Sequence, residues 1–444
     1  MKEKQQEEQD KRELRRRRRV RNQIISYTVL LVVILLITAG AIAAARFLAE
    51  QGKEKQDAMQ SSQSAVESIF QSEEVIQTPE PTPEVQELTP EQKLDGIVEE
   101  GISVMPLEDK VAGLFLVTPE AITGVSTAVQ AGEGTQKALT QYAVGGMIYF
   151  EKNIKSAEQI KEMLDNTQLY TKYPLFLAVD EEGGSVSRVA SAGLAPEQDS
   201  AAAIGAGGDT QAAYASGQAI GAAIKQLGFN LDFAPVADLA SVEGSIMADR
   251  SYGTDAGSVG AMAGAMLQGL KEEGVFSCLK HFPGLGGTSK DPHNGLSSID
   301  RTAEQLRGEE FVAFQAGIDA GADMVMVSTA AAPALTGDNE PCVFSSAVVT
   351  DILRGELGFD GIIITDALNM SSIADYYDAA DAAVLALRAG CDMILMPEDF
   401  EKAYNGVLEA VRSGTVSEER INDSLKRIYR LKYREKYAEQ ITQE

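Results

Sequence analysis

Both histidines of the chain, His281 and His293, lie in one short glycine-rich segment that also carries Lys280 and Asp291. An aspartate two residues before a histidine can accept the ring N–H, fix the tautomer and raise the basicity of the imidazole. The segment therefore indicates general acid/base catalysis by Asp291 and His293. A phosphate-binding loop is disfavoured because no Gly-Lys-Ser/Thr ending and no helix start follow. A zinc site is disfavoured because no cysteine or glutamate lies nearby.

Polar residues also close several of the apolar runs of the sequence. In a parallel α/β barrel the active site lies at the carboxyl ends of the strands, so such residues are candidates for chemistry. Any one of them could instead cap the next helix. Helix capping is a weaker explanation when five of the eight runs end in a polar residue. The residues are Asp180, Asp238, Lys280 with His281, Ser328 and Asp366.

Eight short apolar runs, each followed by a segment of helical periodicity, would position these residues. Runs bounded by glycine and proline suit strands that are buried on both faces, which implies parallel pairing through helical crossovers. Eight units favour a closed (β/α)8 TIM-type barrel over an open doubly wound sheet. We therefore predict an α/β domain over residues 96–437. The runs are 111–117, 145–150, 174–180, 229–238, 275–281, 324–328, 361–366 and 393–397.

The first 95 residues have a different character. Residues 1–22 are rich in lysine and arginine, and residues 23–45 contain no charge, which is long enough to cross about 30 Å of hydrocarbon. The positive-inside rule predicts a basic cytoplasmic tail, a single-pass transmembrane anchor at 23–45 and an extracytoplasmic catalytic domain in the cell membrane. A cleaved signal peptide is the alternative. Residues 46–95, rich in Gln, Ser, Glu and Pro, predict a disordered stalk.

Composition excludes several function classes. The formal charge of −27 over 444 residues argues against a nucleic acid partner, because phosphate binding needs a basic face. The three cysteines form no CxxC or metal spacing and no disulfide framework. Cys278 and Cys391 are expected to be small buried side chains. No cofactor or metal is expected, and the oligomeric state stays open.

The chain resembles glycoside hydrolase family 3, in particular its single-domain bacterial β-N-acetylglucosaminidase branch. Five motifs match in the family's order and cover about residues 105–400. They read Val-Asp-Glu-Glu-Gly-Gly at 179–184 with Arg188, Phe-Ala-Pro-Val-Ala-Asp at 233–238, Asp-Arg-Ser-Tyr-Gly at 249–253, Lys-His-Phe-Pro-Gly at 280–284 with Asp291 and His293, and Ile-Thr-Asp-Ala-Leu-Asn-Met at 364–370. The chain departs from the family's pattern at Ser185, Leu285, Pro292 and Thr329.

The resemblance implies a retaining hydrolase that removes terminal β-linked N-acetylglucosamine-type sugars. It implies that Asp366 is the nucleophile and that His293, oriented by Asp291, is the acid/base. A retaining glycosidase needs both a carboxylate that forms a covalent intermediate and a group that switches between acid and base. The predicted anchor favours glycans derived from the cell wall. By the same resemblance the sugar contacts are Asp180, Arg188, Arg250, Lys280 and His281.

Three alternatives keep the barrel but change its function. A catalytically inactive glycan-binding barrel is disfavoured because Asp291, His293 and Asp366 are all present. A Schiff-base lyase would use Lys280 but would leave Asp366 without a role. Transfer of the glycosyl group to phosphate at the same site would use the same residues.

Overall fold

The computed structural model describes residues 88–441, and its centre is one sheet of eight parallel strands. In chain order the strands are β1 (Phe115–Val117), β2 (Gly146–Ile148), β3 (Phe176–Val179), β4 (Glu181–Gly183), β5 (Val186–Ser187), β6 (Leu231–Asp232), β7 (Phe276–Phe282), β8 (Met324–Val327), β9 (Ile362–Thr365) and β10 (Ile394–Leu395). Strands β4 and β5 form a separate antiparallel pair. The other eight follow the order β10-β1-β2-β3-β6-β7-β8-β9.

The sheet closes on itself between β9 and β10. Ile364 forms a parallel bridge with Met393, and the N–H of Thr365 donates to the Met393 carbonyl at 3.0 Å. Helices fill every connection between consecutive strands of the sheet. The described residues therefore form a nearly closed parallel barrel of the (β/α)8 type, and the predicted barrel is confirmed.

Helices surround the barrel and cover the outer faces of its strands. The α-helices are α1 (Pro90–Ser103), α2 (Leu107–Ala112), α3 (Pro119–Thr123), α4 (Glu133–Gln141), α5 (Ala157–Tyr170), α6 (Arg188–Ser191), α7 (Ala201–Gly207), α8 (Thr210–Leu227), α9 (Ala256–Glu272), α10 (Ala303–Gln305), α11 (Phe311–Asp319), α12 (Pro333–Thr336), α13 (Ser371–Ala374), α14 (Ala379–Ala389), α15 (Phe400–Arg412) and α16 (Glu418–Ile441). Two π-helical segments and four 3₁₀ turns complete the described part: Leu306–Glu310, Ala347–Glu356, Glu151–Asn153, Leu285–Gly287, Pro292–Asn294 and Cys342–Phe344.

The strands are buried along their whole length, which explains why the sequence reads as continuous apolar runs. Every residue of β1, β2, β3, β8 and β9 is buried. Parallel strands covered by helices on the outside and packed side chains on the inside have no solvated face.

The ends of the helices are set by capping residues. Asp209 caps α8 by accepting the N–H of Gln211, and Gly228 ends this helix with φ 104°.

Two predicted strands are shorter in the structure than their apolar runs. The run 111–117 begins inside α2, where Glu108 and Asp109 in the first turn favour a helix, and only Phe115–Val117 joins the sheet. In the run 229–238 only Leu231–Asp232 pairs regularly. Pro235 has no N–H to donate to a ladder, and pairing resumes as one isolated bridge between Val236 and Lys280.

The predicted tail, anchor and most of the stalk lie outside the described residues. The predicted boundary at residue 96 falls inside α1, because Thr89 and Gln92 form a capping box that starts this helix at Pro90. Within residues 88–441, no helix is long and apolar enough to cross a membrane.

Candidate active site

A cavity of about 580 Å³ lies at the carboxyl ends of the barrel strands. Its size is in the range of pockets that bind small molecules. All eight residues predicted as site residues line it: Asp180, Arg188, Arg250, Lys280, His281, Asp291, His293 and Asp366. The structure thus brings together residues that are far apart in the sequence.

One wall of the cavity is a group of four charged side chains, Asp180, Glu182, Arg250 and Lys280, which we call the charged cluster. The Lys280 ammonium lies 2.8 Å from Oδ1 of Asp180 and 2.6 Å from Oε1 of Glu182. Arg250 donates twice to Glu182, from Nε at 2.8 Å to Oε2 and from Nη2 at 2.7 Å to Oε1. Such paired geometry holds a guanidinium in one orientation.

The charges of this cluster compensate one another away from bulk water. Burial by itself raises the pKa of Glu182, but the nearby Lys280 and Arg250 outweigh it and lower that pKa to about 2. Burial lowers the pKa of Lys280, and Asp180 and Glu182 more than offset this, so the pKa is raised. Glu182 and Lys280 therefore both stay ionised at neutral pH.

His281 forms a buried pair with Asp238. The Asp238 carboxylate accepts the backbone N–H of His281 at 3.0 Å and lies 2.7 Å from the ring Nδ1. It also accepts the N–H of Leu285 at 2.6 Å. Since a carboxylate can only accept, Nδ1 carries a proton and donates it to Asp238. Asp238 thus orients a histidine that lines the cavity.

Arg188 enters the cavity from the first turn of α6. The buried Glu181 caps this helix by accepting the N–H groups of Val189 at 2.7 Å and Ala190 at 3.0 Å. The Arg188 guanidinium carbon lies 5.9 Å from the centre of the Phe150 ring. Its Nε is buried and has no hydrogen-bond partner among the described residues. The Arg188 side chain as a whole lines the cavity.

Asp291 and His293 lie on the exposed loop that follows β7. Oδ1 of Asp291 accepts the His293 backbone N–H at 2.9 Å and lies 2.8 Å from the ring Nδ1. The His293 side chain is 71% exposed and that of Asp291 46%. Partial burial raises the pKa of Asp291, but hydrogen bonds from the backbone and ring of His293 outweigh it, so the pKa is lowered. The pair is an ionised carboxylate holding an accessible imidazole.

Asp366 directly follows β9. Its backbone N–H donates to the Val327 carbonyl at 2.8 Å, which extends the ladder to β8. Its Oδ1 accepts the N–H of Ala367 at 2.8 Å. One carboxylate oxygen is thus held by the backbone, and the side chain lines the cavity. A strand-end carboxylate held in place by the backbone is suited to act as a nucleophile.

Glycine is required where the loop leaves β7. A Cβ added to Gly286 would lie 1.7 Å from the carbonyl oxygen of Leu239. The carbonyl of Gly286 also accepts the Ser245 hydroxyl at 2.8 Å. The loop that carries Asp291 and His293 is therefore anchored closely at its base.

Other residues behave differently from the sequence prediction. Ser328, expected at the catalytic face, accepts the N–H of Ala330 at 3.0 Å and does not line the cavity. Asp238 acts through His281 rather than on the cavity itself. Glu182 had no predicted role, although it lies within the motif at 179–184. The sequence signal for it was only its place as the third of three acidic residues before the two glycines.

The described residues contain no obvious metal centre. Across residues 88–441, no group of three or more histidine, cysteine, aspartate or glutamate side chains is arranged to hold a metal ion. Cys278, Cys342 and Cys391 are free and buried, which confirms the expectation for the first and last of these.

The fold and the cavity describe a barrel whose strand ends bring together a carboxylate, an aspartate–histidine pair and a cluster of charged side chains, as in the active sites of barrel enzymes. The profile of the glycosyl hydrolase family 3 N-terminal domain matches residues 106–431. The chain belongs to this family and is by that membership a glycoside hydrolase. The resemblance predicted from the motifs is confirmed.

Individual relatives agree with this assignment. A β-hexosaminidase of Chromobacterium violaceum is 36% identical over 61% of this chain and 76% of its own length. The solved β-N-acetylglucosaminidase of Paenibacillus sp. has 33% identity and a TM-score of 0.69, covering 76% of this chain and 64% of that one. This chain thus spans slightly less than two thirds of the Paenibacillus protein. The β-N-acetylhexosaminidase of Beutenbergia cavernae has 29% identity and a TM-score of 0.63, over 73% and 97% of the two chains.

Proposed function

We propose that the protein is a retaining β-N-acetylhexosaminidase that removes terminal β-linked N-acetylglucosamine-type sugars through a covalent intermediate on Asp366. The observation that carries this proposal is the convergence of Asp366, the Asp291–His293 pair and the charged cluster on one cavity. The names of the relatives support the same sugar class.

In the first step Asp366 attacks the anomeric carbon while the glycosidic C–O bond breaks. Protonated His293 gives the proton of its Nε2 to the leaving oxygen. Asp291, held at Nδ1, stabilises the imidazolium that does this work. The products of the step are the free aglycone alcohol, a neutral imidazole and a glycosyl ester of Asp366.

In the second step the neutral His293 removes a proton from water, which attacks the same carbon and releases Asp366 as a carboxylate. Two inversions give net retention of the anomeric configuration. The exposure of His293 suits this role, because the imidazole must reach first the aglycone oxygen and then water from bulk solvent.

The remaining polar groups of the cavity bind the sugar. Lys280, Arg250 and Arg188 supply donors, and Asp180 and His281 supply acceptors for hydroxyl groups and the N-acetyl amide. The charged cluster carries two positive and two negative side chains. A balanced cluster suits a neutral sugar, because no substrate charge is needed to compensate a buried one.

We also propose that the enzyme is anchored in the cell membrane by residues 23–45 and acts outside the cytoplasm on glycans derived from the cell wall. The support is the uncharged run that follows Arg15 to Arg19 and Arg21. This part of the proposal rests on sequence alone.

Covalent labelling tests the chemistry directly. A 5-fluoro N-acetylglucosaminyl fluoride should accumulate the glycosyl-enzyme, because the second step is slowed. Peptide mapping is expected to find the label on Asp366. Labelling of another carboxylate, or sugar binding without turnover of an aryl N-acetyl-β-glucosaminide, would refute the proposal. Formation of a sugar 1-phosphate in phosphate buffer would favour a phosphorylase, and trapping on Lys280 by borohydride a lyase.

A further inference from the structure

Glu182 links the two cations of the sugar site although it had no predicted contact with the sugar. Its Oε1 is shared between the Lys280 ammonium at 2.6 Å and Nη2 of Arg250 at 2.7 Å. Its Oε2 accepts Nε of Arg250 at 2.8 Å. The side chain of Glu182 is only 6% exposed. A buried carboxylate with both oxygens occupied by protein cations has little capacity left for a substrate.

The bonds to Glu182 decide which polar atoms remain for the sugar. Arg250 uses Nε and one N–H of Nη2 on Glu182, so three of its five N–H donors remain: the second N–H of Nη2 and both of Nη1. Lys280 has three N–H bonds and uses two of them on Glu182 and Asp180. Asp180 uses Oδ1 on Lys280, and among the described residues no hydrogen bond is made to its Oδ2. The cluster thus offers a defined set of donors and one acceptor.

Removing the charge of Glu182 would change this set. Lys280 is 2% exposed, so its ammonium group cannot hydrogen-bond to bulk water instead. It would therefore form its hydrogen bonds to Asp180, the carboxylate partner that remains. A glutamine in place of Glu182 would keep one acceptor oxygen for Arg250 but offer an NH2 group in place of the second, so the two-bond, charge-assisted pairing that fixes the guanidinium plane would be lost. A buried cation without a partner is strongly unfavourable. The acceptor oxygen of Asp180 would then be occupied by protein rather than by a sugar hydroxyl.

We infer that Glu182 is a positioning residue that holds Lys280 and Arg250 in place for the sugar and keeps Asp180 available to accept a sugar hydroxyl. The inference rests on the proposed function for the identity of the ligand as a neutral N-acetylglucosamine-type sugar. Glu182 acts through its two cationic partners and does not touch the reacting atoms.

The test compares Glu182→Gln, Lys280→Met and the double variant on 4-nitrophenyl N-acetyl-β-glucosaminide, using the full-length protein. Glu182→Gln should lower kcat/KM about 10- to 100-fold, the usual effect of losing charge-assisted bonds, mainly through a higher KM. Because Glu182 would then have only Arg250 left to hold, Glu182→Gln should cost clearly less in the Lys280→Met background than in the wild-type protein. Losses that multiply, or an unchanged KM in Glu182→Gln, would overturn the inference.

A matched control separates positioning from folding. Asp323 is also a buried carboxylate with a cationic partner, since Oδ1 lies 2.9 Å from Nη2 of Arg434. It precedes β8, at the end of the barrel opposite the cavity. Asp323→Asn should lower the melting temperature without changing KM. A KM rise in Asp323→Asn equal to that in Glu182→Gln would show that loss of any buried ion pair is enough, and would overturn the inference.

Two further measurements apply if Glu182→Gln does not fold or if the wild-type protein does not cleave the aryl glycoside. If Glu182→Gln does not fold, Glu182→Asp replaces it, because the shorter carboxylate keeps the charge but cannot reach both cations at once. Wild-type kinetics in Glu182→Asp would then overturn the inference. If the wild-type protein does not cleave the aryl glycoside, the proposed function fails by itself. The Kd for N-acetylglucosamine, measured by calorimetry on the same variants, would in that case decide the role of Glu182.

Discussion

The ring Nδ1 of His293 lies 2.8 Å from Oδ1 of Asp291, and the same oxygen accepts the backbone N–H of His293. One carboxylate oxygen therefore fixes both the turn and the tautomer, which leaves Nε2 exposed. The other histidine, His281, has a similar partner in Asp238, but both of its partner's oxygens are buried and engaged by the backbone. Of the two histidines, His293 is thus the one that can exchange protons with water.

Replacement of His293 by alanine should affect substrates according to their leaving group. Poor leaving groups need protonation, so their cleavage should fall about 10²- to 10⁴-fold, the usual contribution of general acid catalysis. Aryl glycosides with acidic phenols should lose much less in the first step. The measurement is a plot of log kcat/KM against the pKa of the leaving phenol, which should be steeper for the variant.

Asn294→Ala is the matched control for this experiment, because Asn294 belongs to the same exposed turn. It should leave the slope of the plot unchanged. An equal loss for good and poor leaving groups in His293→Ala would mean that the loop only positions the sugar.

Asp366→Asn should remove nearly all hydrolysis. The amide keeps the size of the side chain but cannot form the glycosyl ester, so kcat should fall more than about 10³-fold. Since Asp366 follows β9 at the cavity and lies outside the apolar core, the melting temperature should change little. Steady-state kinetics and thermal unfolding of the purified variant check both statements. Substantial turnover by the variant would contradict the assignment.

The sequence predicts the barrel well because each strand is buried on both faces and appears as an apolar run. The predicted strand positions fail at the ends of two runs, where local effects compete with hydrophobicity. Residues 111 and 112 belong to α2, although valine and alanine there fit an apolar strand. At Pro235 the missing N–H interrupts pairing within a run whose hydrophobicity does not change. Hydrophobicity alone cannot locate such breaks.

The site was predictable where motifs mark individual residues, and less so where residues act through one another. Arg250 and Glu182 are separated by 68 residues, and Lys280 and Asp180 by 100. Their pairing depends on the register of β3, β6 and β7 in the closed sheet, which no local pattern encodes. The same holds for Asp238, whose partner His281 lies on the next strand of the barrel. The sequence shows which residues are present, but it does not show which of them pair with one another.

Gly286→Ala should impair catalysis through the loop. Its added Cβ would lie 1.7 Å from the Leu239 carbonyl oxygen, so the chain must shift near Leu285, whose N–H helps to hold Asp238. We expect a loss of about 10- to 100-fold in kcat/KM, as for small displacements of catalytic groups. Gly308→Ala is the control, because nothing lies within 4 Å of a Cβ there. Wild-type kinetics in Gly286→Ala would show that the loop base tolerates a shift.

The proposed anchor makes a prediction for the N-terminal region. A reporter enzyme fused after Glu50 should be active only outside the cytoplasm and should sediment with membranes, because residues 23–45 would remain in the bilayer. Replacing Arg15 to Arg19 with acidic residues should weaken this orientation. Recovery of a soluble protein that begins near Arg46 would instead indicate a cleaved signal peptide.

The lowered pKa of Glu182 predicts a specific dependence of stability on pH. In the folded protein the Glu182 pKa is about 2, whereas an unfolded chain has an ordinary glutamate pKa of about 4.3. The stabilisation from its ionised form is therefore complete above about pH 5 and is lost as the pH falls towards 2. Glu182→Gln has no such group, so its deficit in unfolding free energy should be constant from pH 7 to 5 and should shrink at lower pH. Urea unfolding of both proteins between pH 7 and 3 measures this difference, and a deficit that stays constant down to pH 3 would contradict an ionised Glu182 between Lys280 and Arg250.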